Sequence, residues 1–362
     1  MTPLVPDNDR NAIPSVFTDT VRFLDQHGQC ISPLPTYYSI TVLKELYTLL
    51  TRTRAMDTKA VNLQRTGLMS TYPSSRGQEA VGVGIGHAMT ESDVFCPYYR
   101  DQGTYLQRGV SISDIYSLWG GDERGNYISA DSQDFPLCVP IACQYLHATG
   151  VAFAIKHRQE HRAVVTTGGD GSTSKGDFYE AMNLAGTWNL PLVFVINNNQ
   201  WAISVPRNDQ TGSKTIAQKA MAAGFAGIQV DGNDVIAVRE TVSQALEKAR
   251  RGGGPTLIEA VSYRLCDHTT ADDATRYQPS DEVKQAWTQE PIIRLANYLE
   301  SQGEWSKQQE AELQTTIKAE IEHQTQLYLN REPQEKADLF KYLYNNMPDA
   351  LLDQMDELGE QE

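Results

Sequence analysis

Between residues 161 and 206 the chain changes period three times. Ala163, Val164, Val165 and Thr166 form a short apolar and β-branched run of the kind carried by a strand buried on both faces. The run stops at Gly168-Gly169-Asp170-Gly171. Phe178, Ala181, Met182, Ala185 and Trp188 then recur at i, i+3, i+4, i+7 and i+10, one stripe of a helix that Pro191 helps to close. A second apolar run, Leu192 to Ile196, ends at Asn197-Asn198-Asn199. This order predicts a right-handed β-α-β unit with parallel strands. Asp170 and Asn199 would then emerge together at the carboxyl edge of the sheet, where open α/β folds take ligands.

The same patterning divides the rest of the chain. Residues 1–36 are proline-rich without a sustained period, and read as an extended arm over this fold or a neighbour's, or else as a disordered tail. From Tyr37 the period is helical, with Ile40, Leu43, Tyr47 and Leu50 on one face and Gly67 as the stop. Gly82, Gly84 and Gly86 lack the preceding strand and spacing of a dinucleotide fingerprint. They read as small residues on a helix closely approached by another helix or a cofactor. Trp119 to Asp134 is a polar loop with no assigned role, and Val139 to Lys156 an apolar helix with Ile141 in the core and His147 packing or capping. Ile228, Val230 and Asp231 suggest a strand. Asn233 begins a helix whose Val235, Val238, Val242, Ala245, Leu246 and Ala249 face inward, and Gly252-Gly253-Gly254-Pro255 ends it before a strand over Thr256–Tyr263. Leu313, Ile317 and Ile321, then Leu351, Met355 and Leu358, mark helices read as packing on a second subunit. The expected class is α/β, a largely parallel sheet with helices on both faces. It divides into an arm (1–36), one large domain (37–300) and a helical carboxyl-terminal extension (301–362).

Composition narrows the partners. A formal charge of -15 argues against nucleic acid. No run approaches the eighteen apolar residues of a membrane span, and the first sixteen residues lack the core of a signal peptide and the Arg-rich character of a transit peptide. Cysteines 30, 96, 138, 143 and 266 form no CxxC pair and read as buried reduced thiols, so a cytoplasmic location is expected.

The chemistry sits at the two polar turns. The Asp170 carboxylate, the Asn199 amide oxygen and a main-chain carbonyl of the following turn, at Trp201, suit a hard divalent cation such as magnesium, whose remaining positions phosphate oxygens and water fill. Backbone N–H groups around Gly169, Gly171 and Ser172, at the start of the next helix, would supply positive potential to a diphosphate. Alone, a Gly-Asp-Gly turn reads as a tight turn with a solvated Asp; the Asn pair after the next strand turns the reading towards the cradle.

The GDG motif, about thirty residues with SKGDFYEAMNLAGTWNLPLVFVI among them, and then NN resembles the thiamine diphosphate motif in alpha subunits of 2-oxo acid dehydrogenase complexes, most like the bacterial pyruvate type. The resemblance runs from about Tyr37 to Tyr277. It implies the thiamine diphosphate-binding fold, magnesium, and a role for Tyr99 and Arg100 on the diphosphate. Guanidinium forms forked, charge-assisted bonds with phosphate oxygens. It further implies that the backbone at Val139 and Ile141 meets the aminopyrimidine ring. Arg264 and His268 of RLCDHTTADDATRY would contact phosphate, His268 also moving a proton near the substrate, with Asp272, Asp273, Arg276 and Tyr277 holding that loop closed. Thr269 stands where some relatives are phosphorylated, and Pro73 where some carry a His. The implied partners are a beta subunit, in an alpha2beta2 assembly, which supplies the Glu at the pyrimidine end of the cofactor, and the lipoyl domain of an acyltransferase that accepts the acyl group. Pyruvate is the expected substrate, with branched-chain 2-oxo acids such as 2-oxoisovalerate, or acetoin, as alternatives. A non-catalytic diphosphate-binding sensor is the alternative of another class, disfavoured because Tyr99, Arg100, Asp170, Asn199, Arg264 and His268 are all present.

Overall fold

A computed structural model of the chain describes residues 19–129, 131–341 and 343–359. The strands in chain order are β1 (Val94–Cys96), β2 (Val164–Gly169), β3 (Leu192–Asn198), β4 (Trp201–Ala202), β5 (Val205–Pro206), β6 (Ala226–Asp231) and β7 (Thr256–Val261). Five of them form a wholly parallel sheet in the order β1-β2-β3-β7-β6, while β4 and β5 pair as a small antiparallel hairpin. The first half of the helices comprises α1 (Ile40–Arg65), α2 (Glu79–Ala88), α3 (Gln102–Gln107), α4 (Ile112–Gly120), α5 (Cys143–His157) and α6 (Gly176–Thr187). After them come α7 (Arg207–Gln210), α8 (Lys219–Ala222), α9 (Val235–Arg250), α10 (Ser280–Trp287), α11 (Pro291–Ser301) and α12 (Lys307–Leu329), and Asp349–Gly359 is a last helix.

Successive strand residues face opposite layers, so the sheet divides two hydrophobic cores. Val165, Val193, Val195, Ile228 and Ile258 point into the larger core with α1, α2 and α9, whereas Val164, Phe194, Ile196 and Leu257 point into the other with α5 and α6. The chain winds from β1 to β3 in one direction and returns from β6 to β7 in the other. Right-handed crossovers then require α6 and α9 on opposite faces, as observed.

Several expectations are met. Gly67 follows α1 at φ 75°, a conformation that favours glycine, and its N–H closes the last turn onto the Gln64 carbonyl. A Cβ on Gly84 would come within 2.6 Å of Val238, so the glycine stripe of α2 serves close packing against α9. Other expectations shift. Trp188 lies beyond the last helical residue, as the C-cap of α6, and is 44% exposed, its ring 5.0 Å from that of Phe153. Asp234, not Asn233, caps α9: one carboxylate oxygen accepts from the N–H groups of Ile236 and Ala237, the other from Phe23 and Leu24 of the arm. The helix expected from Val139 begins at Cys143, with His147 exposed beside the Phe135 ring, and Trp119 belongs to α4. Of the five thiols only Cys96 is buried. Ile317 and Ile321 of α12 pack into the chain's own larger core with α1, rather than waiting for a second subunit.

Residues 1–18 of the expected arm lie outside the described residues. Its remainder lies on its own fold: Val21 bridges Val230 of β6, its N–H donating to the Gln229 carbonyl at 2.9 Å and its carbonyl accepting from Asp231 at 3.0 Å. At the opposite margin the Phe135 N–H donates to the Phe95 carbonyl of β1 at 2.8 Å. Among the described residues no helix is long and apolar enough to cross a membrane.

Candidate active site

The carboxyl ends of β1, β2, β3 and β7 converge on one cavity of about 220 Å³. Tyr99 and Arg100 follow β1; Gly169 ends β2, with Asp170, Gly171 and Ser172 after it. Asn199 follows β3, Trp201 lies in β4, His268 is in the loop beyond β7, and Val139 and Ile141 precede α5. All of these line the cavity. Arg264 does not. It is fully buried behind the wall, its Nε donating to the Cys266 carbonyl at 3.1 Å and one terminal nitrogen to the Tyr277 hydroxyl at 2.6 Å. Its other terminal nitrogen, Nη1, is buried with no partner among the described residues.

Ile141, expected in the core, is 46% exposed on the cavity wall. The segment before α5 is irregular and turns at Ala142, at φ 76°, and Val139 and Ile141 before that turn stand exposed on the cavity lining. Gln200, at φ 72°, and Ile203, at φ 56°, bend the hairpin that carries Trp201. A β-branched residue in this left-handed region is strained by about 1–3 kcal/mol, and such strain gathers at sites whose geometry is held for a ligand.

Asp170 is 1% exposed and its Oδ2 has no partner among the described residues. Burial pushes its pKa up to about 6, opposed by its own N–H, by Arg264, by the Asn199 N–H and by Arg207. Beside it, the Asn199 Oδ1 accepts from the Trp201 N–H at 3.2 Å. Among the described residues no group of three or more His, Cys, Asp or Glu could hold a metal. A cation here would therefore rest on the mixed set of one carboxylate, one amide oxygen and a main-chain carbonyl, and the orphaned Oδ2 fits that role. Gly171 and Ser172 do not open the α-helix as expected; they lie in a 3-10 turn, Asp170–Ser174, ahead of α6. In the orientation its hydrogen bonds require, the Gln210 amide oxygen accepts the Gly171 N–H at 3.0 Å.

Arg100 is buried, with one terminal nitrogen donating to the Ser74 carbonyl and the other to the His268 carbonyl at 2.9 Å. The His268 N–H donates to Asp272 at 2.8 Å, and the Tyr277 hydroxyl donates to the same carboxylate oxygen, so Asp272 and Tyr277 hold the loop over the cavity. Asp273 caps a short turn within it, and Arg276 is exposed. Burial, then Arg100 and Arg264, lowers the His268 pKa to about 4, which leaves the ring neutral near pH 7. A neutral imidazole, two guanidinium groups and a buried, largely ionised carboxylate make a site suited to a polyanion accompanied by a cation.

Three supporting residues escape sequence reasoning. The Gln78 Oε1 accepts from the amides of Asn197 (3.0 Å) and Asn199 (2.8 Å) and so fixes which way Asn199 points its oxygen. The Ser262 hydroxyl donates to the Asn197 Oδ1 at 2.6 Å. Tyr145 shares a 2.5 Å hydrogen bond with Ser172, and a Cβ on Gly168 would strike its hydroxyl at 1.8 Å. Gln78 stands within the recognisable GQEA segment, but its contacts depend on residues 119 and 121 positions away.

The dehydrogenase E1 component family model matches residues 47–336. The chain is 45% identical over 277 residues to the 3-methyl-2-oxobutanoate dehydrogenase subunit alpha of Mycobacterium tuberculosis, covering 76% of this chain and 75% of that one. It is 36% identical over 346 residues to the pyruvate dehydrogenase E1 component subunit alpha of Staphylococcus aureus, covering 95% and 94%. With a parallel sheet whose loop tips gather on one cavity, and relatives spanning nearly its whole length, the chain belongs to the dehydrogenase E1 component family, among its alpha subunits.

Proposed function

We propose that the chain is the diphosphate-side subunit of a thiamine diphosphate- and magnesium-dependent 2-oxo acid dehydrogenase acting on pyruvate and passing the acyl group to a lipoyl domain. The observation that carries this is the buried, partnerless Oδ2 of Asp170 beside Asn199, in a cavity flanked by Arg100 and Arg264. When bound, thiamine diphosphate supplies the electron sink that loss of carbon dioxide from a 2-oxo acid requires. Asp170, Asn199 and the Trp201 carbonyl would hold magnesium. Tyr99, Arg100, Arg264, His268 and the backbone at Gly169, Gly171 and Ser172 would bind the diphosphate, and Val139 and Ile141 would wall the aminopyrimidine ring. His268, neutral in the free chain, is the group that would take a proton near the substrate. Residues 37–300 would form the cofactor domain, with 1–36 an arm and 301–362 a helical extension.

A beta subunit would complete the site. Val139, Ile141 and Ile203 on the cavity wall, Leu146 and Phe153 along α5 and Trp188 at the end of α6 are all more than a third exposed, apolar surface that suits a partner chain. Free thiols fit a reducing cytoplasm. Branched-chain 2-oxo acids are the second reading, favoured by the 45% identity to the mycobacterial subunit; the near-complete coverage by the staphylococcal one favours pyruvate. The deciding experiment is calorimetric titration of thiamine diphosphate with magnesium, with and without a co-purified beta chain, followed by carbon dioxide release from pyruvate and from 2-oxoisovalerate. Turnover by the chain alone would contradict the division between subunits.

A further inference from the structure

The turn that carries Asp170 is braced from behind by a lysine with no part in the chemistry above. Lys219, on α8, is 5% exposed. Its Nζ donates to the main-chain oxygen of Thr173 at 2.9 Å and to the Thr173 hydroxyl at 3.0 Å. Thr173 is fully buried, and its hydroxyl in turn donates to the Asp170 carbonyl at 2.8 Å. The ring of Tyr179 lies 5.2 Å from the ammonium. Among the described residues the partners of Lys219 are these neutral groups, and no carboxylate pairs with it. A buried cation satisfied only by neutral acceptors is costly, and an anion seated nearby would offset that cost.

We propose that Lys219 is a positioning residue for the diphosphate and metal site. Through Thr173 it clamps the Asp170–Ser174 turn so that the Asp170 carboxylate keeps its aim, and it places a fixed positive charge behind the turn on which the anion seats. The inference rests on the diphosphate reading of the cavity. It differs from ordinary core packing because the clamp ends on the backbone of the proposed metal ligand and because the clamping group is charged.

Binding of magnesium pyrophosphate and of thiamine diphosphate with magnesium, measured by calorimetry on the full chain with and without its beta chain, tests it. Lys219→Met and Thr173→Val should each weaken both ligands by about tenfold or more, the scale of a lost charge-assisted hydrogen bond. Thr173→Ser, which keeps the hydroxyl, should bind within about threefold of the parent. Parent-like affinity in Lys219→Met and Thr173→Val overturns the proposal, as does a Lys219→Met chain that loses stability while its folded fraction binds normally. Should Lys219→Met fail to fold, Thr173→Val against Thr173→Ser decides. If the parent binds neither ligand, the diphosphate reading itself is wrong and the role of Lys219 falls with it.

Discussion

Asp170 is asked to be buried and charged at once. Its pKa of about 6, and that of Asp101, pushed up to about 7 by burial against the opposing hydrogen bonds of Thr167 and the Tyr98 N–H, both lie above the unfolded value near 4. A carboxyl with a raised folded-state pKa binds more protons folded than unfolded, so its contribution to stability is present at low pH and lost as pH rises through the folded value. The ligand-free chain should therefore melt progressively lower between about pH 4 and 7 on account of these groups. Asp101→Asn should flatten the upper part of that slope, and saturating magnesium with thiamine diphosphate should remove the Asp170 part, as thermal melts across the range would register. Asp170→Asn should weaken magnesium-dependent cofactor binding on the order of a hundredfold while leaving the ligand-free chain as stable at neutral pH, or more so. The His268 ring should titrate near pH 4 in the free chain and higher with pyrophosphate bound, which proton NMR of the imidazole would follow. Asp170 and Asn199 were legible in the sequence because each directly ends a strand whose apolar run is plain. Gln78 and Lys219 were not, since each acts on a loop far away in the chain and nothing local marks it.

Among the elements, the β2-α6-β3 unit was the most legible, because the switch of period from two to 3.6 and back is local. The start of α5 was the least legible. A run of apolar residues does not reveal that Ala142 adopts a left-handed backbone or that the helix starts only at Cys143, which leaves Ile141 outside it and on the cavity wall. The packing of α2 on α9 gives a direct test. Gly84→Ala should cost about 1–3 kcal/mol, measured by urea unfolding, since the added methyl meets both the Val238 side chain and, at 3.0 Å, the Arg239 backbone. In the β4-β5 hairpin the strained Ile203 predicts the opposite. Ile203→Gly should stabilise the fold by about 1 kcal/mol and weaken cofactor binding, because the turn that presents Trp201 would no longer be held in one shape.

For the whole molecule, the sheet and its two cores could be foreseen from strand composition, whereas the packing of α12 onto α1 could not, since a Gln- and Glu-rich helix with a narrow apolar stripe fits a second subunit as well as its own. The exposed aromatic groups Phe153 and Trp188 should lose solvent when the beta chain binds, shifting tryptophan emission to shorter wavelength. The two flanks of the five-strand layer carry a further consequence. Val21 occupies two backbone groups of β6 on one flank and Phe135 a carbonyl of β1 on the other, so another copy meets an obstructed ladder when it extends the sheet sideways. Warmed, concentrated protein should clump without staining by dyes that report fibrillar order, and trimming the chain past Val21 should be what first lets such staining appear.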